Sequence, residues 1–181
     1  MSLKKYKVMS LDVSASSTGW SCINEQDVLC FGTIQPAKNL DVTHKLDFFR
    51  TELKKLFIKF KPTYVVLEDT FLGNNPKVVK LLAKFGGVAE QAIFEYCKIT
   101  PYLMGNTTPK SFFKVPTKER LFAIMIDLVE FNIEMIFKNH NDITDSVAQL
   151  FCYCDEILKL KEVRMEKDYG YKYKFSSIRV Q

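Results

Sequence analysis

The chain has 181 residues, long enough to close one core with both faces of a sheet covered, and no second domain is needed to use them. Its composition, 47% hydrophobic, 13% aromatic and 26% charged, excludes a disordered or fibrous polymer, and no apolar run is long enough to span a bilayer or form a signal-peptide core, so a cytoplasmic protein is expected. The net charge of +5 is unevenly spread, with an excess of Lys and Arg over Asp and Glu from Lys159 onward, which suits a polyanionic partner.

Residues 5–12 alternate into an apolar strand, and residues 20–24 and 28–34 read as two more, joined by the turn Asn24-Glu25-Gln26-Asp27. Val42, Leu46, Phe49, Leu53, Leu56, Phe57 and Phe60 then fall at helical spacing, and Pro62 stops the helix they predict. The continuous apolar run Tyr64-Val65-Val66-Leu67 is the signature of a strand buried on both faces, as in a parallel sheet, and it ends abruptly in Glu68 and Asp69. Asn75 and Pro76 are a good N-cap and first-turn pair for a second helix over 76–97. Residues 99–105 form a fifth strand, and Thr108-Pro109 opens a short helical turn. Pro116-Thr117 starts a helix running to about residue 137, and Asn141 or Asp142 caps a last one running to about residue 160.

This order predicts an α/β fold: a mixed five-stranded sheet, three antiparallel strands then two parallel, with helices on both faces. The first strand and the Tyr64 strand become parallel neighbours at the centre. Residues 1–160 make one domain and 161–181 a basic aromatic extension. In that extension Tyr169, Tyr171, Tyr173 and Phe175 alternate with Gly and Lys, either as an added edge strand or as an arm that stacks on nucleic acid, with disorder expected around 162–168. Five scattered cysteines, an odd number, read as buried reduced thiols, and Cys152 and Cys154 point to different sides of a helix, which disfavours zinc.

Carboxylates carry the candidate chemistry. Asp12 ends the first strand, Glu68 ends its parallel neighbour, and Asp142 and Asp145, three apart, share one helix face. Each has an ordinary alternative, since acids are common in loops and at helix starts. Four converging carboxylates would repel, and hard divalent cations with oxygen ligands relieve that repulsion. Two Mg²⁺ ions about 3.5–4 Å apart suit in-line phosphodiester hydrolysis.

The blocks Asp12-Val-Ser-Ala-Ser-Ser-Thr18-Gly19-Trp20, Glu68-Asp-Thr-Phe71-Leu-Gly-Asn74-Asn75 and Asp142-Ile-Thr-Asp145 resemble, in order, the signatures of RuvC-type Holliday junction resolvases of the RNase H-like superfamily, with phage-borne members nearest. Val13-Ser14 departs from the Pro-Gly common after the first Asp in that family, and the tail beyond about residue 161 has no counterpart in it. The resemblance implies an RNase H-like fold and a structure-selective DNA endonuclease that nicks four-way junctions or other branched DNA to 5′-phosphate and 3′-hydroxyl ends. It implies two Mg²⁺ ions, replaceable by Mn²⁺, held by Asp12, Glu68, Asp142 and Asp145, with Lys118 as a further catalytic residue. DNA contacts would come from Phe71, Asn74, Asn75, Lys77, Lys110 and Lys118, while Thr18 fixes the turn after the first strand. It also implies a homodimer built on the second helix, whose Val79, Leu82, Ala83, Val88, Ala89 and Ala92 suit the role, in a bacterial or phage-infected cell. Competing readings are an RNase H-like nuclease on RNA–DNA hybrids and a branched-DNA-binding module that does not cleave.

Overall fold

The computed structural model describes residues 6–23, 28–69, 75–158, 166–168, 172–174 and 179–180. Strands β1 (Val8–Asp12), β2 (Thr18–Ile23) and β3 (Val28–Ile34) form an antiparallel meander. Helix α1 (Val42–Phe60) leads to β4 (Tyr64–Glu68), which pairs parallel to β1, and α2 (Pro76–Cys97) leads to β5 (Tyr102–Met104), parallel to β4. The five strands thus lie in the order β5-β4-β1-β2-β3, with β1 and β4 as central neighbours, as expected.

The tail differs from its reading. β6 (Glu166–Asp168) and β7 (Lys172–Lys174) pair with each other as a separate antiparallel ribbon, so residues 166–168 are strand rather than disordered. The strand that joins the main sheet is the shorter β8 (Arg179–Val180), parallel to β3 at the far edge.

Strand alternation sorts the core into two layers. Met9, Leu11, Val65 and Leu67 face α1 and α2, where they meet Phe49, Leu53, Phe57, Phe85 and Ile93. Val8 and Val66 point to the opposite face and pack under Leu121, Met125, Val147, Leu150 and Phe151. Local chemistry sets the helix ends. The Asp41 side chain accepts from the His44 N–H at 3.0 Å to start α1, and the Asn75 oxygen accepts from the Lys77 and Val78 N–H groups to start α2. Both helices end at a left-handed lysine, Lys61 and Lys98. Among the described residues no helix is long and apolar enough to cross a membrane.

The second layer departs from the predicted boundaries. After α3 (Thr108–Phe112), helix α4 (Lys118–Leu128) stops well short of residue 137, because Val129 takes extended backbone and buries its side chain. Helix α5 (Phe137–Cys152) starts ahead of Asn141, which puts Asp142 and Asp145 more than a full turn inside it rather than at its cap. Its first turn is closed by His140, whose Nδ1 accepts from the Ile136 N–H at 3.0 Å while its own N–H reaches the Ile136 carbonyl at 2.9 Å. The ring satisfies the N–H of Ile136 that precedes the helix, while the N-cap position itself has no side-chain acceptor. A π-helical turn, Tyr153–Ile157, follows α5 directly.

Candidate active site

Register brings the acids together. β1 and β4 pair with Ser10 opposite Val66 and Leu11 opposite Leu67, so Asp12 and Glu68 come next, side by side at the carboxyl ends of parallel strands. Alternation puts Ser10 and Asp12 on the face of β1 that carries Val8, beneath α5, and Glu68 on the matching face of β4. Asp69 points away, exposed, with its N–H bound to the Met104 carbonyl at 2.9 Å. Helix α5 then lowers Asp145 onto the pair. It can approach this closely because Gly19, which pairs with Asp12 across β1 and β2, offers no side chain: a Cβ there would stand 1.9 Å from the Asp142 carbonyl oxygen.

Asp12 is 7% exposed, and burial, a hydrogen bond with Glu68 and the charges of Glu68 and Asp145 together hold its carboxyl well above the ordinary 3.8. Lys118 opposes this from α4, its Nζ donating to Asp145 Oδ2 at 2.6 Å. Burial pulls the Lys118 ammonium down, but Asp145, together with Asp12 and Glu68, outweighs it and the net shift is upward. Asp145 itself is raised, since its burial outweighs the attraction of Lys118. The lysine therefore keeps its charge firmly, while the carboxylate is charged at a cost.

Lys118 faces the site for two reasons. Thr117 accepts from the Arg120 N–H at 3.3 Å and fixes Lys118 as the first residue of α4, and helical spacing aligns it with the buried Leu121 and Met125. Lys110, half-buried on α3, lines the same cavity with Glu68, Asn106, Pro109, Lys118, Leu121, Asp145 and Gln149. Asp142 is half-buried, and its charge raises the carboxyl of Asp145. Asn75 spends its oxygen on the α2 cap and Lys77 is exposed; neither lines the cavity. Phe71 and Asn74 lie outside the described residues. Thr18 does brace the turn after β1, its Oγ1 accepting from the Ser14 N–H and donating to the Ser14 carbonyl. On α2, Ala89 and Ala92 are packed inside the chain's own core against α1 and cannot face a partner, whereas Val78 and Ala83 are exposed.

Two cavity residues carried no sequence signal of their own. Gln149 is 2% exposed, and its Nε2 donates to Glu68 Oε2 at 3.1 Å. Asn106 sits in the loop after β5. A lone amide in an apolar stripe or in a turn is not marked by periodicity or motif; only the α5 spacing from Asp145 to Gln149, one helical turn, hinted that both face one way.

The donor set suits a hard divalent cation: carboxylate oxygens from three elements, one of the carboxyls raised above its ordinary value by burial and by the neighbouring acids. Yet among the described residues no three His, Cys, Asp or Glu side chains are arranged to hold one ion. Lys118 engages Asp145 and Gln149 engages Glu68 instead. The chemistry fits a metal.

A profile described as Crossover junction endodeoxyribonuclease RuvC matches residues 8–103, a segment that contains Asp12 and Glu68. Proteins of that description include one from Lawsonia intracellularis, 28% identical over 86 residues that cover 45% of this chain and 51% of that one. Another, from Fusobacterium nucleatum, is 27% identical over 45% of each chain, so the chain spans about half the length of these relatives. The protein from the Wolbachia of Drosophila simulans is 29% identical over 156 residues, 81% of this chain and 93% of that one. Among solved structures, T. thermophilus RuvC in complex with Holliday junction substrate superposes with a TM-score of 0.68 at 12% identity, over 82% of this chain and 92% of that one. The yeast mitochondrial Holliday junction resolvase Ydc2 gives 0.57 at 12% identity, over 81% and 76%. At such identities these two establish the fold, an α/β RuvC-like sheet with helices on its faces. The profile, in contrast, covers more than half of the sequence, and the chain belongs to the RuvC crossover junction endodeoxyribonuclease family.

Proposed function

We propose that the chain is a metal-dependent, structure-selective DNA endonuclease that resolves Holliday junctions or other branched DNA by hydrolytic nicking to 5′-phosphate and 3′-hydroxyl ends. The observation that carries this reading is the meeting of Glu68 and Asp145 beside Lys118 in one cavity, with the buried Asp12 next to Glu68 at the carboxyl ends of β1 and β4. Asp12, Glu68, Asp142 and Asp145 would hold two Mg²⁺ ions, with Mn²⁺ as a substitute. Bound there, the ions supply a reactive water near neutral pH and offset charge on the leaving oxygen.

The chain's own groups do the rest. The ammonium of Lys118, on a flexible stem beside the acids, would meet the scissile phosphate. Lys110, which lines the same cavity, would contact the same strand and hold its backbone in line. Phe71, three residues beyond Glu68 in sequence, stacks on a base at the branch point, and Asn74, Asn75 and Lys77 bind phosphates near the start of α2. A four-way junction has two-fold related strands, so a C2 homodimer supplies the two cuts that resolution needs; the exposed Val78 and Ala83 on α2 are the surface in favour of it. The compartment would be the cytoplasm of a bacterial or phage-infected cell, where cysteines stay reduced.

The test is incubation with labelled four-way junction, fork, linear duplex and RNA–DNA hybrid in Mg²⁺, beside Glu68→Gln. Cleavage of a branched substrate, lost in the variant, is the expected result. Cleavage of the hybrid alone would move the chain to an RNase H-like activity, and no cleavage of any substrate would sink the proposal. Sedimentation of the free protein tests the dimer.

A further inference from the structure

The structure assigns Gln149 the part of a positioning residue for Glu68, with its amide aimed by the Ser10 hydroxyl. Both ends of that amide are in use. Nε2 donates to Glu68 Oε2 at 3.1 Å, and Oε1 accepts from Ser10 Oγ at 3.0 Å. The second bond fixes the sense of the first, because a hydroxyl donating to Oε1 leaves only the NH₂ to face the carboxylate. Ser10 is fully buried and Gln149 is 2% exposed, so water does not stand in for either partner. The relay joins three elements one layer below the acids: Ser10 lies two residues before Asp12 on β1, and Gln149 one turn after Asp145 on α5.

A buried glutamine is costly unless its polar atoms have work to do, and an apolar residue would fill the same core position more cheaply. What distinguishes this one is its target. Glu68 is pressed by Asp12, with which it shares a hydrogen bond, and by the charge of Asp145. A neutral donor holds it in place without adding a positive charge, so Gln149 orients Glu68 and leaves its charge available, whereas Lys118 neutralises the acid it touches. Outer partners of this kind orient ligands before the ion arrives, and their loss typically costs about 10–100-fold in metal affinity.

The inference rests on the metal-dependent reading of this cavity and is tested by Mn²⁺ binding to the DNA-free protein, followed by electron paramagnetic resonance or calorimetry. Gln149→Met keeps the shape and removes the amide; it should remain folded by circular dichroism and bind Mn²⁺ about tenfold more weakly. Ser10→Ala keeps the amide but frees it to turn, and should weaken binding in the same direction by a smaller factor; it also carries the test should Gln149→Met not fold. Because Ser10 acts through Gln149, the double variant should bind no more weakly than Gln149→Met alone. Affinity unchanged within about twofold in either folded single variant, additive losses in the double variant, or no Mn²⁺ binding by the wild type would each overturn the assignment. If the expected losses are found but the wild type cuts no branched DNA, the nuclease reading falls and the part assigned to Gln149 stands.

Discussion

Asp12 is held against ionisation by its burial, by Glu68 and by Asp145, and a carboxyl raised in this way binds its proton more tightly in the folded chain than in the unfolded one. It therefore contributes stability at low pH that is lost as pH rises from the ordinary 3.8 toward its raised value, and above that the ionised group is a net cost. Asp12→Asn abolishes the titration. In EDTA at pH 7 the variant should melt a few degrees above the wild type while cleaving nothing, and the two melting curves should converge as the pH is lowered toward 4. A wild type whose metal-free melting point falls relative to the variant as the pH is lowered from 7 to 4 would contradict the assignment. Lys118 gives the opposite sign. Lys118→Met leaves Asp145 buried without its cation, a loss held to about 1 kcal/mol because the ammonium is half-exposed. Thermal melting should show that loss in EDTA, and Mg²⁺ should recover it at lower concentration than the wild type needs, since the lysine no longer competes for Asp145. At this scale the acids were legible in the sequence, because strand ends and an i,i+3 pair are marked by periodicity. Ser10 and Gln149 were not: each is a single polar residue in an apolar stretch, and its purpose exists only once β1, β4 and α5 are stacked.

Helix α5 is the element on which the site depends, and Gly19 determines how near it comes. Gly19→Ala sets a methyl carbon 1.9 Å from the Asp142 carbonyl oxygen, backbone against backbone, so the helix must shift rather than a side chain rotate. Overpacking of this kind costs about 1–3 kcal/mol, read from chemical denaturation. Cleavage should fall at least tenfold as well, because Asp145 travels with the helix; a variant as destabilised but fully active would show that α5 position is not critical. The Thr18-Gly19-Trp20 block thus acquires a physical reason, which the sequence showed only as a pattern. Element boundaries were less legible than element identity. α5 was expected to begin at a cap formed by Asn141 or Asp142, and a histidine ring closing its first turn further upstream is not a signal that composition carries. α4 was expected to be too long because the helical pattern continues past Leu128, and only the packing of Val129 into the core ends it.

At the scale of the whole molecule the order of strands was readable in advance, since a hairpin pair followed by two helical crossovers leaves few right-handed arrangements. The tail was not, because the short β8, rather than the aromatic-lysine alternation, supplies the added strand. The two-layered core also governs the thiols. Burial raises all five, Cys22 and Cys152 to about 12 and Cys97 to about 11, which leaves little thiolate near neutral pH. At pH 8 iodoacetamide should label the native protein far more slowly than the protein in guanidinium, where mass spectrometry should find five adducts. Rapid labelling of the native state would mean that the core opens far more readily than its packing implies.

The unbroken burial of α5 from Ile143 through Cys152 bears on time as well as on structure. Asp145 and Gln149 ride on a helix that cannot lift without exposing Val147, Leu150 and Phe151, so no small, local opening can disassemble the site while sparing the fold. Backbone amides in that buried stretch are expected to exchange with solvent only when the domain opens as a whole, so the lifetime of the site on heating should be the lifetime of the core.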